Sequence, residues 1–219
     1  KIPKASITIC HDSRFTEVKY RKEKKKNTQL LSQIFNNFNT TLFGSIDIQD
    51  EKIIFKSLKN IYPEGQDSLI RKKHCLIFVP HEVDKETINR LINQLDRLSF
   101  KYCSYSEYLK NSTNEQVIII DSVGLLADLY RYANKAYIGG GFSRGVHSVL
   151  EPAVYDCSIA HGPNIEMLDE AKFLVKNNYS KIISNSQDLN NFLSSQKADK
   201  IHNLFHNHNS KEILDHILL

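Results

Sequence analysis

From residue 40 onward, short apolar runs rich in β-branched and aromatic residues alternate with stretches whose apolar positions recur at helical spacing. The runs predict strands over Thr41–Ser45, Cys75–Pro80, Lys101–Ser104, Val117–Asp121, Ala136–Gly140, Ser158–His161 and Lys181–Ser184. Between and after them the helical spacing predicts helices over Asp50–Ile61, Asp84–Ser99, Gly124–Asn134, Ser148–Asp156, Met167–Asn178, Gln187–Gln196 and Ala198–Leu219. Val117-Ile-Ile-Ile and Cys75-Leu-Ile-Phe-Val carry no polar alternation, as strands covered on both faces must. The expectation is a Rossmann-like, doubly wound parallel α/β sheet over residues 40–219. Residues 1–39 fit it less well; with one strand-like run at Ser6–Cys10 and one helical stretch at Asn27–Asn39, they read as a connector packed on the domain.

Sheets of this kind bind ligands beyond the carboxyl ends of their strands. The informative segment there is Gly139-Gly-Gly-Phe-Ser-Arg-Gly145, where glycines permit positive φ and a close backbone approach to a ligand. Pro152 belongs in a first helical turn, because deeper in a helix it would clash and lose a hydrogen bond, so the helix is expected to begin near Ser148 or Val149. Free amides of that turn would suit a phosphate. His147 and Glu151, four apart, would share a face, the imidazole near phosphate and the carboxylate near ribose hydroxyls. A Cβ at Gly141 would then stand where backbone approaches phosphate. The other reading of the segment is close packing alone, with Glu151 satisfied by the helix dipole. Gly139, Gly141 and Gly145 miss the dinucleotide spacing and follow a late strand, which argues against an NAD enzyme.

Composition narrows the classes. With 41% hydrophobic and 25% charged residues, the 219-residue chain has the balance of a folded domain. It begins Lys1-Ile-Pro-Lys, with neither the apolar core of a signal peptide nor an initiator Met, as expected of a portion of a longer protein. Four scattered cysteines, Cys10, Cys75, Cys103 and Cys157, form no C-x-x-C pair and point to a reducing cytoplasm. A net charge of +4 demands no nucleic acid, and much of the excess sits in Lys19-Tyr-Arg-Lys-Glu-Lys-Lys-Lys26. That run reads as a solvated linker or helix start, or else as a contact for an anionic membrane surface. His202, His206 and His208 lack an acidic partner, so no metal site is expected. Ser45, Ser122 and Ser143 sit in no nucleophile elbow, and no catalytic residue is assigned.

The run Asp121-Ser-Val-Gly-Leu-Leu-Ala-Asp-Leu-Tyr-Arg-Tyr-Ala-Asn-Lys-Ala-Tyr-Ile-Gly-Gly-Gly-Phe-Ser-Arg-Gly-Val-His-Ser-Val-Leu-Glu-Pro-Ala, followed by His161-Gly-Pro-Asn164, resembles the 3-deoxy-D-manno-octulosonic acid (Kdo) transferases of lipopolysaccharide synthesis. Asp12-Ser-Arg-Phe15, Phe43-Gly-Ser45 ahead of Asp50-Glu51, and Val79-Pro-His-Glu82 add matches in the family's order. The resemblance implies the C-terminal half of a GT-B glycosyltransferase, binding CMP-Kdo as donor without a cofactor or catalytic metal. A missing N-terminal half would hold the lipid A precursor and the general base, at the cytoplasmic face of the bacterial inner membrane, and transfer would invert the sugar. Gly140, Gly141, Gly145, His147 and Glu151 would hold phosphate and ribose; Ser45, His81, Glu82, Ser122 and Gly124 would line the rest of the cleft. Ser148, where the family has Asn, joins them. The alternatives are a UDP-sugar transferase or epimerase of the same architecture, or a non-catalytic binding module.

Overall fold

Seven strands form in the computed structural model, which describes residues 13–24, 29–111 and 113–195. They are β1 (Asn39–Ile46), β2 (His74–Pro80), β3 (Cys103–Ser104), β4 (Val117–Ile119), β5 (Lys135–Ile138), β6 (Ser158–His161) and β7 (Ser180–Ile182). Every pairing is parallel, in the order β3-β4-β2-β1-β5-β6-β7. The chain therefore builds outward from β1 on one side through β2, then returns to β1's other side with β5. That reversal makes the gap between the ends of β1 and β5 the topological switch point, where such sheets take their ligands.

The apolar runs split by parity. Phe43, Leu76, Phe78, Val117, Ile119, Tyr137 and Ala160 face one layer, which comprises α3 (Ile48–Ile61), α4 (Gln66–Lys72), α5 (Lys85–Arg97) and α10 (Ser186–Ser194). Leu42, Ile77, Ile118, Ala136, Ile138 and Ile159 face the other, built from α2 (Ile34–Asn37), α6 (Tyr105–Asn111), α7 (Leu126–Leu129), α8 (Leu150–Val154) and α9 (Asp169–Lys176). Burying each large apolar side chain contributes on the order of 1.5–3 kcal/mol, and Phe78 adds stacked contacts to Phe43 at 5.0 Å and Phe55 at 5.7 Å. This is the doubly wound, Rossmann-like sheet expected.

Asp47 starts α3 with a capping box: its carboxylate accepts from the amides of Gln49 and Asp50, while Asp50 reaches back to the Asp47 amide. Asp84 and Asn185 cap α5 and α10 in the same local manner. Lys135, at the start of β5, is buried and donates to the carbonyls of Phe192 at 2.9 Å and Leu193 at 2.5 Å, closing the end of α10.

Several expectations need correction. The helix expected over Gly124–Asn134 is only α7 followed by a 3-10 turn at Tyr130–Tyr132, because Asn134 must straighten into the sheet, its amide donating to Thr40 O and its side chain accepting from Thr40 N. Of the stretch Asn27–Asn39, Asn27 and Thr28 lie outside the described residues and the rest yields only α2, with Leu31 and Phe35 part of the core. Ser148–Asp156 shortens to α8, five residues long. Two helices had no helical signal: α4, held between Gly65 and Lys73, both at positive φ, and α6, whose Ser106 amide is bonded by Asp121 from β4's end. The basic run falls on α1 (Ser13–Lys24) up to Lys24; Lys25 and Lys26 lie outside the described residues, as do Ser6–Cys10, Ala198–Leu219 and the three C-terminal histidines.

Candidate functional site

A cleft of about 450 Å³ opens at the switch point, between the loops that follow β1, β2 and β5. His81 and Glu82 enter it from β2, Gly140, Arg144 and His147 from β5, and Asp47 from β1. A larger hollow of about 640 Å³ follows the outer face of α5 alone, so no second element converges on it.

The glycine loop is tied down from below. Asp50, fully buried, accepts from Tyr137 Oη at 2.8 Å and from the Gly140 amide at 2.9 Å. Burial pushes its carboxyl up to about 6 against those bonds and the one from the Asp47 amide. Burial also pushes Asp47 up, but bonds from Ser143 Oγ and the amides of Asp50 and Gln49 outweigh it and hold that carboxyl below its ordinary value. Next to Asp50, Glu51 is buried in a forked pair with Arg90, both bonds at 2.9 Å. Two adjacent α3 carboxylates thus brace two walls of the cleft.

At its mouth the rings of His81 and His147 stack, 4.5 Å between centroids and 26° between planes. Burial and the neighbouring His81 pull the His147 imidazole below its ordinary pKa, against a smaller opposite pull from Asp47. An imidazole ring offers at least one N–H donor. Arg144 is exposed beside them, and among the described residues it meets no hydrogen-bond or ion-pair partner.

Several amides of the glycine loop have acceptors within the protein. The Gly140 amide is given to Asp50, those of Ser143 and Gly145 to Gly140 O, that of Val146 to Asn164 O and that of His147 to Gly139 O. Those five loop amides are spent inside the protein. Gly141 lies against Gly162: a Cβ on it would stand 2.6 Å from Gly162 Cα, so its bareness serves packing. Gly140, at φ 86°, is required by both its backbone angle and the approach of Gly145 O.

Of the residues singled out, His81, Glu82, Gly140 and His147 share the cleft. His147 precedes α8 rather than sitting on it, so it and Glu151 do not form the helical i, i+4 pair expected. Glu151 instead accepts from Ser148 Oγ. Ser45 forms the bulge at the end of β1 with φ 51°, and its carbonyl packs under Gly139. Ser122 and Gly124 lie on the β4–α7 loop, with open space at Gly124; Gly145 closes the far end of the glycine loop. Sequence reasoning passed over Asp47, Arg90 and Arg144 as site residues, and it treated Asp50 and Glu51 only as matches. The D-x-x-D capping pattern at Asp47 and Asp50 was the signal for two of them. Among the described residues no set of three or more His, Cys, Asp or Glu converges as a metal site.

No protein-family model matches the chain. Among curated proteins it is 28% identical to the 3-deoxy-D-manno-octulosonic acid transferase of Rickettsia prowazekii over 81% of this chain, and 27% identical to that of Rickettsia typhi over the same share. The chain spans 38% of the length of each of these relatives. Among solved structures, the C-terminal CMP-Kdo binding domain of WaaA from Acinetobacter baumannii superimposes with a TM-score of 0.61 at 18% identity, covering 83% of this chain and 88% of that one. The UDP-GlcNAc 2-epimerase of Methanocaldococcus jannaschii gives 0.54 at 16% identity, with 99% of this chain and 56% of that one. The chain is therefore similar in sequence to Kdo transferases across most of its length, and in fold to the C-terminal, donor-side domain of a GT-B glycosyltransferase.

Proposed function

We propose that this chain is the CMP-Kdo-binding part of a Kdo transferase. The observation that carries the reading is the switch-point cleft, where the His81–His147 stack and Arg144, without a partner among the described residues, offer donors to an anion above a glycine loop fixed by Asp50. A cytidine monophosphate sugar presents such an anion. In transfer, the sugar–phosphate bond breaks and CMP departs with added negative charge, which pre-placed imidazole and guanidinium donors stabilise more in the transition state than before it. Ser148 and Glu151, bonded to each other just past His147 in the chain and outside the lining of the cleft, are assigned to ribose hydroxyls. Ser45, Ser122, Gly124, Gly141 and Gly145 shape the surrounding loops.

The acceptor is read as a lipid A precursor held by a further, N-terminal part that also supplies the general base. Transfer would invert the sugar and use no resident metal. The work would take place at the cytoplasmic face of the inner membrane. Among the described residues no helix is long and apolar enough to cross a membrane.

The test is thermal stabilisation of the 219-residue chain by CMP, UMP, ADP and NAD at equal concentrations, since a ligand bound only by the folded state raises the melting temperature. The expected result is a rise with CMP that the others do not match. A larger rise with UMP would replace the reading with a UDP-sugar enzyme, and no rise with any of them would leave a non-catalytic module.

A further inference from the structure

Helix α1, in the segment read as a connector, is fastened to the domain by charged side chains among the described residues. Arg14 forks onto Glu170 of α9 at 3.0 and 3.3 Å, and Arg21 forks onto Asp128 of α7 at 3.2 and 3.2 Å. Both carboxylates are buried. Arginines seven apart lie on one helix face, so α1 presents a single row of cations to the domain. Lys22 follows the same course: its Nζ donates to Val154 O at 2.6 Å and stands 5.1 Å from the centre of the Tyr155 ring, gripping the end of α8.

Tyr155 is one helical turn beyond Glu151, so the side of α8 that meets α1 is the side that carries Glu151. Arg21 accordingly feels the charge of Glu151 as well as that of Asp128, its principal partner. A helix of five residues has little rigidity of its own, and α8 needs an outside anchor to keep a side chain in register with the cleft. α1 supplies that anchor at the C-terminal end of α8, through Lys22.

We infer that Arg21 is a positioning residue for the nucleotide site: its fork onto Asp128 of α7 fixes α1 so that the neighbouring Lys22 holds Val154 O and the Tyr155 ring at the end of α8, and with them Glu151 where a ribose can be met. The inference rests on the reading of Glu151 as a donor contact. It makes the connector part of the binding site's support, so that a displacement of α1 would be felt as a loss of nucleotide affinity. Arg14 provides an internal control, since it makes the same kind of forked pair from the same helix but to α9.

The experiment is calorimetric titration of CMP into the chain and its variants Arg21→Ala, Arg21→Lys, Arg14→Ala and Glu151→Ala, each with a melting curve. Both arginine-to-alanine variants should melt earlier. Arg21→Ala should weaken CMP binding by about three- to thirtyfold, Arg14→Ala by less than about twofold, and Arg21→Lys should fall between wild type and Arg21→Ala. Equal losses in Arg21→Ala and Arg14→Ala, or unchanged affinity in Arg21→Ala, would overturn the inference while a loss in Glu151→Ala keeps the donor site. Unchanged affinity in Glu151→Ala would overturn the assigned ribose contact and the inference with it. If Arg21→Ala does not fold, Arg21→Lys against Arg14→Ala decides, and no difference between them counts against the inference.

Discussion

The imidazole of His147 lies against that of His81, 4.5 Å between ring centres, across the mouth of a cleft that three loops share. One residue comes from the end of β2 and the other from the loop after β5, so their contact measures whether the loops are correctly set. It also ties the site to pH.

In the unliganded fold His147 holds its proton less well than an ordinary histidine, first because of burial and then because of His81. Below about pH 6.5 the unfolded chain therefore binds more protons than the folded one, and stability contributed here is lost as pH falls. An anion in the cleft favours the charged ring, so CMP binding should tighten between about pH 7.5 and 6. Titrations across that range check it, and His147→Gln should flatten the dependence.

Asp50 has the opposite sign. Its carboxyl is raised by burial from 3.8 to about 6, so between those values the folded state binds the extra proton and stability declines as pH rises, by roughly 3 kcal/mol across the window. Asp50→Ala should remove that slope, and by leaving Tyr137 Oη and the Gly140 amide without their acceptor it should cost about 2–4 kcal/mol at pH 7. Urea unfolding at several pH values would register both.

Gly141 and Gly124 should respond differently to alanine. At Gly141 the new Cβ meets Gly162 backbone at 2.6 Å, and overpacking should cost roughly 1–3 kcal/mol of stability whether or not nucleotide is present. At Gly124 nothing lies within 4 Å, and only the φ of 83° resists, at about 1 kcal/mol. Paired melting curves with and without CMP separate a packing effect from a ligand effect.

Arg144→Ala should leave the melting temperature within about a degree of wild type, because an exposed, unpaired cation contributes little to folding. CMP affinity should fall by about tenfold, the size of one charge-assisted bond to phosphate. An unchanged Kd would put the anion elsewhere in the cleft.

Lys135→Met is expected to destabilise by roughly 2–4 kcal/mol, since the carbonyls of Phe192, Leu193 and Ser195 lose a buried donor together. Guanidinium unfolding measures the loss, and CMP affinity of the folded fraction should be unaffected.

The presence of seven strands, the two-sided burial of β2 and β4 and the place of Pro152 in a first turn were legible in the sequence, because parity, run length and proline geometry are properties of neighbouring residues. So was the neighbourhood of the cleft, since Gly140, His81 and His147 stand where a doubly wound sheet opens. What the glycines do was not legible. Gly141 faces Gly162, 21 positions on, and the Gly140 amide goes to Asp50, 90 positions back. Helix α6 needs Asp121, 15 residues away, and α1 needs carboxylates on α7 and α9 more than a hundred residues along the chain. Local pattern reports which surfaces want burial, whereas the partner that spends a buried amide or carboxylate is chosen only when the chain closes on itself. For that reason sequence alone determined the fold class and the strand ends at which the cleft opens, and tertiary structure decided which buried amides and carboxylates are paired there.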